Sequence, residues 1–139
     1  MNEIFSYNTD SLTKEKLPPL LGAFSGHLRS LALPAEVRMS AEIMLEEVSE
    51  NILMHAAPHR SFSFRCEFKD DRLEIEFRDN GKEFNPLKDA PVPNTRLAAE
   101  ERKIGGLGIL LVRKFSDYVS YKREGDENVL YIIKKFEDG

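Results

Sequence analysis

A carboxylate, a carboxamide and an imidazole recur at four-residue steps in the chain, at Glu47, Asn51 and His55. Residues at i, i+4 and i+8 of a helix share one face, so these side chains are expected to point the same way. A carboxylate and an amide oxygen at this spacing can hold Mg²⁺ jointly or through water, because Mg²⁺ prefers oxygen ligands and keeps several waters. The Glu47 carboxylate could also accept a proton. The edge of an ordinary amphipathic helix explains the same pattern without any function.

Two glycine-containing motifs follow later in the chain. Asp79-Asn80-Gly81 ends a run of alternating apolar residues, and an Asp at a strand end followed by Gly can aim its carboxylate at a ligand amino group. The same residue types are typical of an ordinary turn. Gly105-Gly106-Leu107-Gly108 precedes an apolar helical stretch, where successive backbone N–H groups can bind phosphates. Its spacing is neither that of a P-loop nor a complete dinucleotide fingerprint.

Apolar periodicity predicts the elements that position these motifs. In chain order they are a strand at 2–8, a helix in two parts at 11–32 interrupted by Pro18-Pro19, a helix from Pro34 to about Ala56, strands at 62–68 and 73–78 around an Asp70-Asp71 turn, a helix from the Gly-rich motif to about Phe115, and strands at 118–123 and 128–136. This order predicts an α/β two-layer sandwich, with helices on one face of a mixed, mostly antiparallel sheet.

Composition limits the classes of function. The 139 residues include 32% charged and 41% hydrophobic residues and carry a net charge of −4, as expected for one globular domain. A mildly acidic chain is a poor candidate for binding nucleic acid, and no apolar run approaches the length of a membrane span. The first residues lack the features of a signal peptide, and one cysteine excludes an internal disulfide. We therefore expect a cytoplasmic protein that binds neither nucleic acid nor membrane directly.

The order of the motifs resembles that of a known family. The Glu47–His55 face, Asp79-x-Gly81, a proline-rich stretch and then Gly-Gly-Leu-Gly resemble the N box, G1 box, lid and G2 box of GHKL ATPases. Those proteins have the Bergerat ATP-binding fold, and within the group the chain resembles anti-sigma regulatory factors that are also serine/threonine protein kinases. The resemblance covers nearly the whole chain. It implies one histidine kinase-like ATPase domain over residues 1–139, with an ATP lid at about 86–104.

The resemblance implies roles for the base and the reacting groups. Glu47 matches the catalytic carboxylate that activates the substrate serine hydroxyl, and Asn51 matches the Mg²⁺ ligand between the phosphates. Asp79 matches the residue that accepts a hydrogen bond from the adenine amino group. Gly81 matches the glycine that lets the backbone pass the base.

It also implies roles at the phosphates. The turn that offers N–H groups to them is formed by Gly105, Gly106, Leu107 and Gly108. Arg102 and Lys103 are the candidates to reach the γ-phosphate, and Lys103 is included among the ATP-binding residues.

The activity implied by the resemblance is transfer of phosphate from ATP, with Mg²⁺, to a serine or threonine of a small STAS-type anti-anti-sigma protein. The added charge of about −1.5 to −2 weakens that complex. The kinase is then free to hold a sigma factor or another regulatory target through a second surface, which is partner switching. A homodimer is a further expectation from the resemblance.

Three departures from the family pattern leave alternatives open. Glu83 stands where many relatives have glycine, Asn128-Val129 stands where relatives have Gly-Thr, and the lid is rich in proline. A second hypothesis is therefore an ATP-responsive module that sequesters a partner without modifying it. A third is the ATP-binding fragment of a histidine kinase, or an unrelated ATPase. Partner-dependent serine phosphorylation separates the first hypothesis from the other two.

Overall fold

The computed structural model describes residues 3–89 and 108–136 of the chain. The elements in chain order are β1 Glu3–Thr9, α1 Leu17–Arg29, α2 Ala35–His55, β2 Phe62–Phe68, β3 Arg72–Asp79, the short helix α3 Pro86–Asp89, α4 Gly108–Phe115, β4 Tyr118–Glu124 and β5 Glu127–Lys135.

The five strands form one sheet in the order β1-β2-β3-β5-β4. All four strand pairings are antiparallel, so in the described residues the sheet contains no parallel pair, although a mixed, mostly antiparallel sheet was predicted. The predicted α/β architecture is confirmed. Because β5 lies between β3 and β4, the last hairpin places β5 against the centre of the sheet. Asp79, at the end of β3, is thereby paired in register with Asn128 of β5.

Alternation along the central hairpin separates the two faces of the sheet. Every second side chain along each strand is buried, including Phe64, Cys66 and Phe77. The side chains between them form ion pairs such as that of Arg72 with Glu74. Burial raises the pKa of the Cys66 thiol, so this side chain behaves as a small apolar core residue.

The buried face of the sheet packs against α1 and α2. Phe24 of α1 meets Phe64 edge to face, with ring centroids 5.0 Å apart. The apolar side chains of α2 form a stripe that is buried along the helix, at Val37, Ala41, Met44, Leu45, Val48 and Ile52. Glu46 and Glu50 lie on the exposed side of α2. No helix within residues 3–89 and 108–136 has both the length and the apolar character that crossing a bilayer requires.

The first helix begins later than the sequence suggests. Instead of interrupting a helix over 11–32, Pro18 and Pro19 occupy the first turn of α1, where backbone N–H groups have no intrahelical acceptor. The segment before it is held differently, because the Leu12 N–H donates to Nε2 of the buried His59 at 2.8 Å. The prolines therefore mark the start of the helix.

Gly81→Ala tests how closely the turn after β3 approaches the end of α2. A Cβ at position 81 would fall on the carbonyl oxygen of Ala56, so backbone would have to move. We expect the free energy of unfolding to fall by about 1–3 kcal/mol, as measured by urea titration. Gly22→Ala is the control, because a Cβ there meets nothing within 4 Å and alanine favours the helix. Equal unfolding free energies for Gly81→Ala and wild type would contradict this account of the turn.

Candidate functional site

One pocket lies between α2 and the ends of the central strands. Its lining residues are Val48, Asn51, Ile52, Ala56, Phe77, Asp79, Phe84, Pro86, Tyr121, Asn128 and Leu130. Most of these side chains are apolar, and the polar ones converge from α2, β3, β4 and β5. Asn51 and Asp79, which the sequence analysis assigned from separate motifs, thus line the same pocket. A mostly apolar cavity with a few convergent polar groups is typical of a small-molecule site.

Asp79 is the buried carboxylate of this pocket, with 2% of its surface exposed. Its Oδ1 accepts hydrogen bonds from the Gly81 N–H and from Nδ2 of Asn128, both at 2.9 Å. Among the described residues Oδ2 receives no hydrogen bond. Burial raises the pKa of Asp79, and the two hydrogen bonds oppose that rise. The carboxylate therefore has one saturated oxygen and one that can accept a hydrogen bond from a ligand.

Asn128 is a pocket residue that the family pattern marks only as a departure. It is 5% exposed, and its Nδ2 donates to Asp79 and to the Lys82 carbonyl oxygen at 2.8 Å. A polar Asn128 directly before the apolar Val129 and Leu130 is the one local signal in the sequence. β5, the strand that contains these residues, lies inside the sheet. Its importance depends on strand register, which one sequence does not reveal.

Glu47 lies one turn before Asn51 on α2, against the first residue of α4. A Cβ on Gly108 would be 2.7 Å from Oε2 of Glu47, so the missing side chain of Gly108 leaves room for this carboxylate. Burial raises the pKa of Glu47, and the negative charges of Glu50 and Glu46 raise it further. A half-buried carboxylate with a raised pKa is suited to accept a proton.

Asn51 is 4% exposed and its Nδ2 has no hydrogen-bond partner in the described structure. A buried amide with an unsatisfied donor indicates that a further group belongs beside it. In the described part of the chain, no three His, Cys, Asp or Glu side chains are placed so that they could hold a metal ion together. Mg²⁺ needs only one or two protein oxygens when phosphates and waters complete its shell. The unpartnered Nδ2 of Asn51 is a donor and suits a phosphate or water oxygen. The amide oxygen of the same side chain is the atom that could bind Mg²⁺ beside those oxygens.

His55, on the same face of α2, has a different role from its neighbours. Its ring stacks on Phe84 with centroids 4.6 Å apart and an interplanar angle of 17°. The stack attaches the segment after β3 to the end of α2. Glu83, the first departure noted from the family pattern, is exposed and does not line the pocket.

Several predicted residues lie outside the described structure. These are Arg102, Lys103, Gly105, Gly106 and Leu107, together with residues 90–104 of the predicted lid. Their roles remain predictions. The start of the predicted lid is described as α3, and its Leu87 carbonyl oxygen accepts a hydrogen bond from Arg113 of α4 at 2.9 Å.

Asp79→Asn is expected to stabilise the protein in the absence of any ligand. A carboxyl whose pKa is raised by folding binds its proton more tightly in the folded chain, so stability is lost as pH rises through the folded-state pKa. Asparagine keeps an oxygen for Gly81 and Asn128 and removes the buried charge. In urea titrations the free energy of unfolding of the variant should exceed that of wild type at about pH 8, and this difference should vanish near about pH 4.

Asp70→Asn, in the exposed β2–β3 turn, is the matched control and should show no such pH-dependent gain. A loss of stability for Asp79→Asn at about pH 8 would mean that the ionised carboxylate stabilises the fold.

Comparison with known proteins places this geometry in a family. The sequence model of the histidine kinase-like ATPase domain matches residues 11–134. A chain of the SiaB–SiaC complex from Pseudomonas aeruginosa is similar in structure, with a TM-score of 0.59 and 14% identity over 95% of this chain and 89% of that chain. The histidine kinase domain from the Erythrobacter litoralis EL346 blue-light activated histidine kinase gives a TM-score of 0.53 and 17% identity, over 91% of this chain and 63% of that chain.

A comparison with curated protein sequences finds no match. At such low identities the two structural similarities show the fold alone. The family model, however, covers the elements that form the pocket, from the segment before α1 to residue 134 in β5. The chain therefore belongs to the histidine kinase-like ATPase family.

Proposed function

We propose that this chain is an ATP-dependent protein serine/threonine kinase that phosphorylates a small STAS-type partner in a partner-switching module. The observation that carries the proposal is that Asp79 and Asn51 line one pocket, while Glu47 lies one helical turn from Asn51 and against Gly108. Asp79 is a buried hydrogen-bond acceptor, Asn51 is a buried amide with an unsatisfied donor, and Glu47 is a half-buried carboxylate one turn before Asn51 on α2. This order suits a base, phosphates and an acceptor hydroxyl.

The base end of the proposed site is the pocket around Asp79. Its apolar wall, which includes Val48, Ile52 and Leu130, suits the faces of an adenine ring. Oδ2 of Asp79 would accept a hydrogen bond from the adenine amino group. An acceptor in a dry pocket favours a base that can donate at that position, since an unpaired buried polar group is destabilising.

The phosphate end lies toward Asn51 and the start of α4. Mg²⁺, when bound, would neutralise charge on the phosphates, and the Asn51 oxygen would hold it. Backbone N–H groups at Gly105, Gly106, Leu107 and Gly108 and the positive end of α4 would bind the phosphate oxygens. Lys103 or Arg102 would reach the γ-phosphate when the lid at 86–104 closes. Residues 1–139 would thus act as one ATPase domain.

Glu47 would orient the acceptor hydroxyl and take its proton as the phosphoryl group is transferred. Its raised pKa makes it a stronger base than an exposed glutamate. Gly108 leaves space beside the carboxylate that a larger residue would fill. Proton acceptance and phosphate binding would therefore occur on adjacent parts of α2 and α4.

The nature of the partner is argued from chemistry and from one similar structure. A structurally similar chain occurs in the SiaB–SiaC complex, which supports a protein partner for this chain. Glu46 and Glu50 are exposed next to Glu47, so a newly formed phosphoserine would meet negative charge and leave. A sigma factor or another regulatory target would then bind. In the described sheet β1 has one unpaired edge, which suits a homodimer contact.

Glu47→Gln tests the proposed chemistry. We expect phosphotransfer to serine to fall by at least about 100-fold, because the proton acceptor is lost, while the affinity for Mg²⁺–ATP stays close to that of wild type. Transfer is measured with γ-labelled ATP and the purified STAS-domain proteins of the source organism, and affinity by calorimetry.

Glu42→Gln on the same helix is the control, and it should leave both quantities unchanged. Undiminished transfer by Glu47→Gln would contradict the role of this carboxylate. An ATP-dependent complex with an unmodified partner would instead favour the alternative, a non-catalytic module that sequesters its partner.

A further inference from the structure

We propose that Asn128 is the positioning residue that sets the base selectivity of the site, by holding the Asp79 carboxylate so that Oδ2 is the acceptor left for an exocyclic amino group. This inference rests on the proposed nucleotide site. It goes further by naming the residue that decides between a purine with a 6-amino group and one with a 6-oxo group.

The amide nitrogen of Asn128 faces two acceptors. Its Nδ2 donates to Oδ1 of Asp79 at 2.9 Å and to the Lys82 carbonyl oxygen at 2.8 Å. Both hydrogens of the amide are thus used. With the Gly81 N–H on the same Oδ1, that oxygen receives two hydrogen bonds and is fixed in place.

The amide oxygen of Asn128 faces three donors. It accepts from the Tyr121 hydroxyl at 2.6 Å, from the Phe84 N–H at 3.1 Å and from Nη1 of Arg123 at 3.2 Å. The same Arg123 nitrogen also donates to the Gly81 carbonyl oxygen at 2.9 Å. If the amide turned over, its oxygen would face the Asp79 carboxylate, and its nitrogen would face three donors. The environment therefore permits one orientation of Asn128.

This fixed orientation determines what Asp79 offers to a ligand. Because Oδ1 is saturated, Oδ2 is the oxygen that remains for a base. A 6-amino group would donate to it, whereas a 6-oxo group would place a second acceptor against it and leave both unpaired. Sites built to pair a buried polar group reject analogues that lack the matching group.

The charge state of Asp79 matters as well, because a protonated carboxyl could donate to a 6-oxo group and erase the selectivity. Burial raises the pKa of Asp79, and the hydrogen bonds from Asn128 and Gly81 oppose this. His59 and Arg123 also face Asp79 and favour its ionised form. Tyr121 faces Asp79 too, and burial together with the charges of Glu83 and Asp79 raises the pKa of Tyr121. The hydrogen bond from Asn128 thus orients the carboxylate and favours its ionised form.

A purely structural role would give a different result. Asn128 also ties the segment at 82–84 to β5, and loosening that segment would weaken every nucleotide equally. Asn80 provides the matched comparison, because its Oδ1 ties the same turn to the N–H groups of Arg60 and Ser61 at 2.6 and 2.9 Å. It does so without a hydrogen bond to Asp79.

The experiment compares the affinities of ATP and inosine triphosphate, which differ at position 6 of the purine. Calorimetric titrations with Mg²⁺ at fixed salt and pH would use wild type, Asn128→Leu and Asn80→Leu. We expect wild type to bind ATP at least about tenfold more tightly than inosine triphosphate. In Asn128→Leu this ratio of affinities should be about tenfold lower, mainly because ATP binds more weakly. Asn80→Leu should keep the wild-type ratio even if both affinities fall.

Tyr121→Phe keeps the ring and removes one donor to Asn128, so it tests the same claim if Asn128→Leu does not fold. Its ratio should fall by about two- to threefold. If wild type prefers ATP and the folded Asn128→Leu and Tyr121→Phe variants keep the same ratio of affinities for ATP and inosine triphosphate, the role of Asn128 is overturned but the nucleotide site is not. Equal binding of both nucleotides by wild type would also overturn the role of Asn128 and leave the nucleotide site intact. A folded wild type that binds neither would overturn the proposed function and this inference with it.

Discussion

Asp79 places a carboxyl group at the end of a central strand, where 2% of its surface reaches solvent. Within the described residues it forms no ion pair, and its hydrogen bonds come from a backbone N–H and a side-chain amide. Burying a charge in this way is unfavourable unless hydrogen bonds compensate. The surrounding elements place both donors, the Gly81 N–H and Nδ2 of Asn128, on Oδ1 of Asp79.

That constraint explains several features of the fold. The turn after β3 must be tight enough for the Gly81 N–H to reach back to Asp79, and it passes so close to Ala56 that only glycine fits. β5 must lie beside β3 to bring Asn128 into register, although β4 lies between them in the chain. α2 closes the pocket from the other side with Asn51, and its Glu47 lies against the start of α4. One buried acceptor thus links the sheet order to the geometry of the site.

Much of this arrangement follows from sequence patterns. The alternation of Phe62–Phe68 and the stripe on α2 predict buried faces because their periods match a strand and a helix. The spacing of Glu47 and Asn51 and the Asp79-x-Gly81 motif predict the polar groups of the pocket. These signals are local, so one sequence carries them. The family resemblance adds their order, and it agrees with the family match over 11–134.

Other features depend on contacts between distant residues, which local patterns do not encode. The role of Asn128 depends on its register with Asp79, and the fit of Gly81 depends on Ala56 at the end of another element. Pro18-Pro19 favours either a break or a helix start, and the segment before the prolines is held by hydrogen bonds to His59, a residue distant in sequence. The roles expected for Lys103 and for Gly105-Gly106-Leu107 lie outside the described residues and remain predictions.

The most direct test of the nucleotide site is a calorimetric titration of Mg²⁺–ATP into wild type and Asp79→Asn at fixed salt. The account predicts saturable binding to wild type and at least about tenfold weaker binding to the variant, because the acceptor for the adenine amino group is replaced. Equal binding by two folded proteins would contradict the assignment of Asp79 as the base-recognition residue. No binding to folded wild type would contradict the nucleotide site itself.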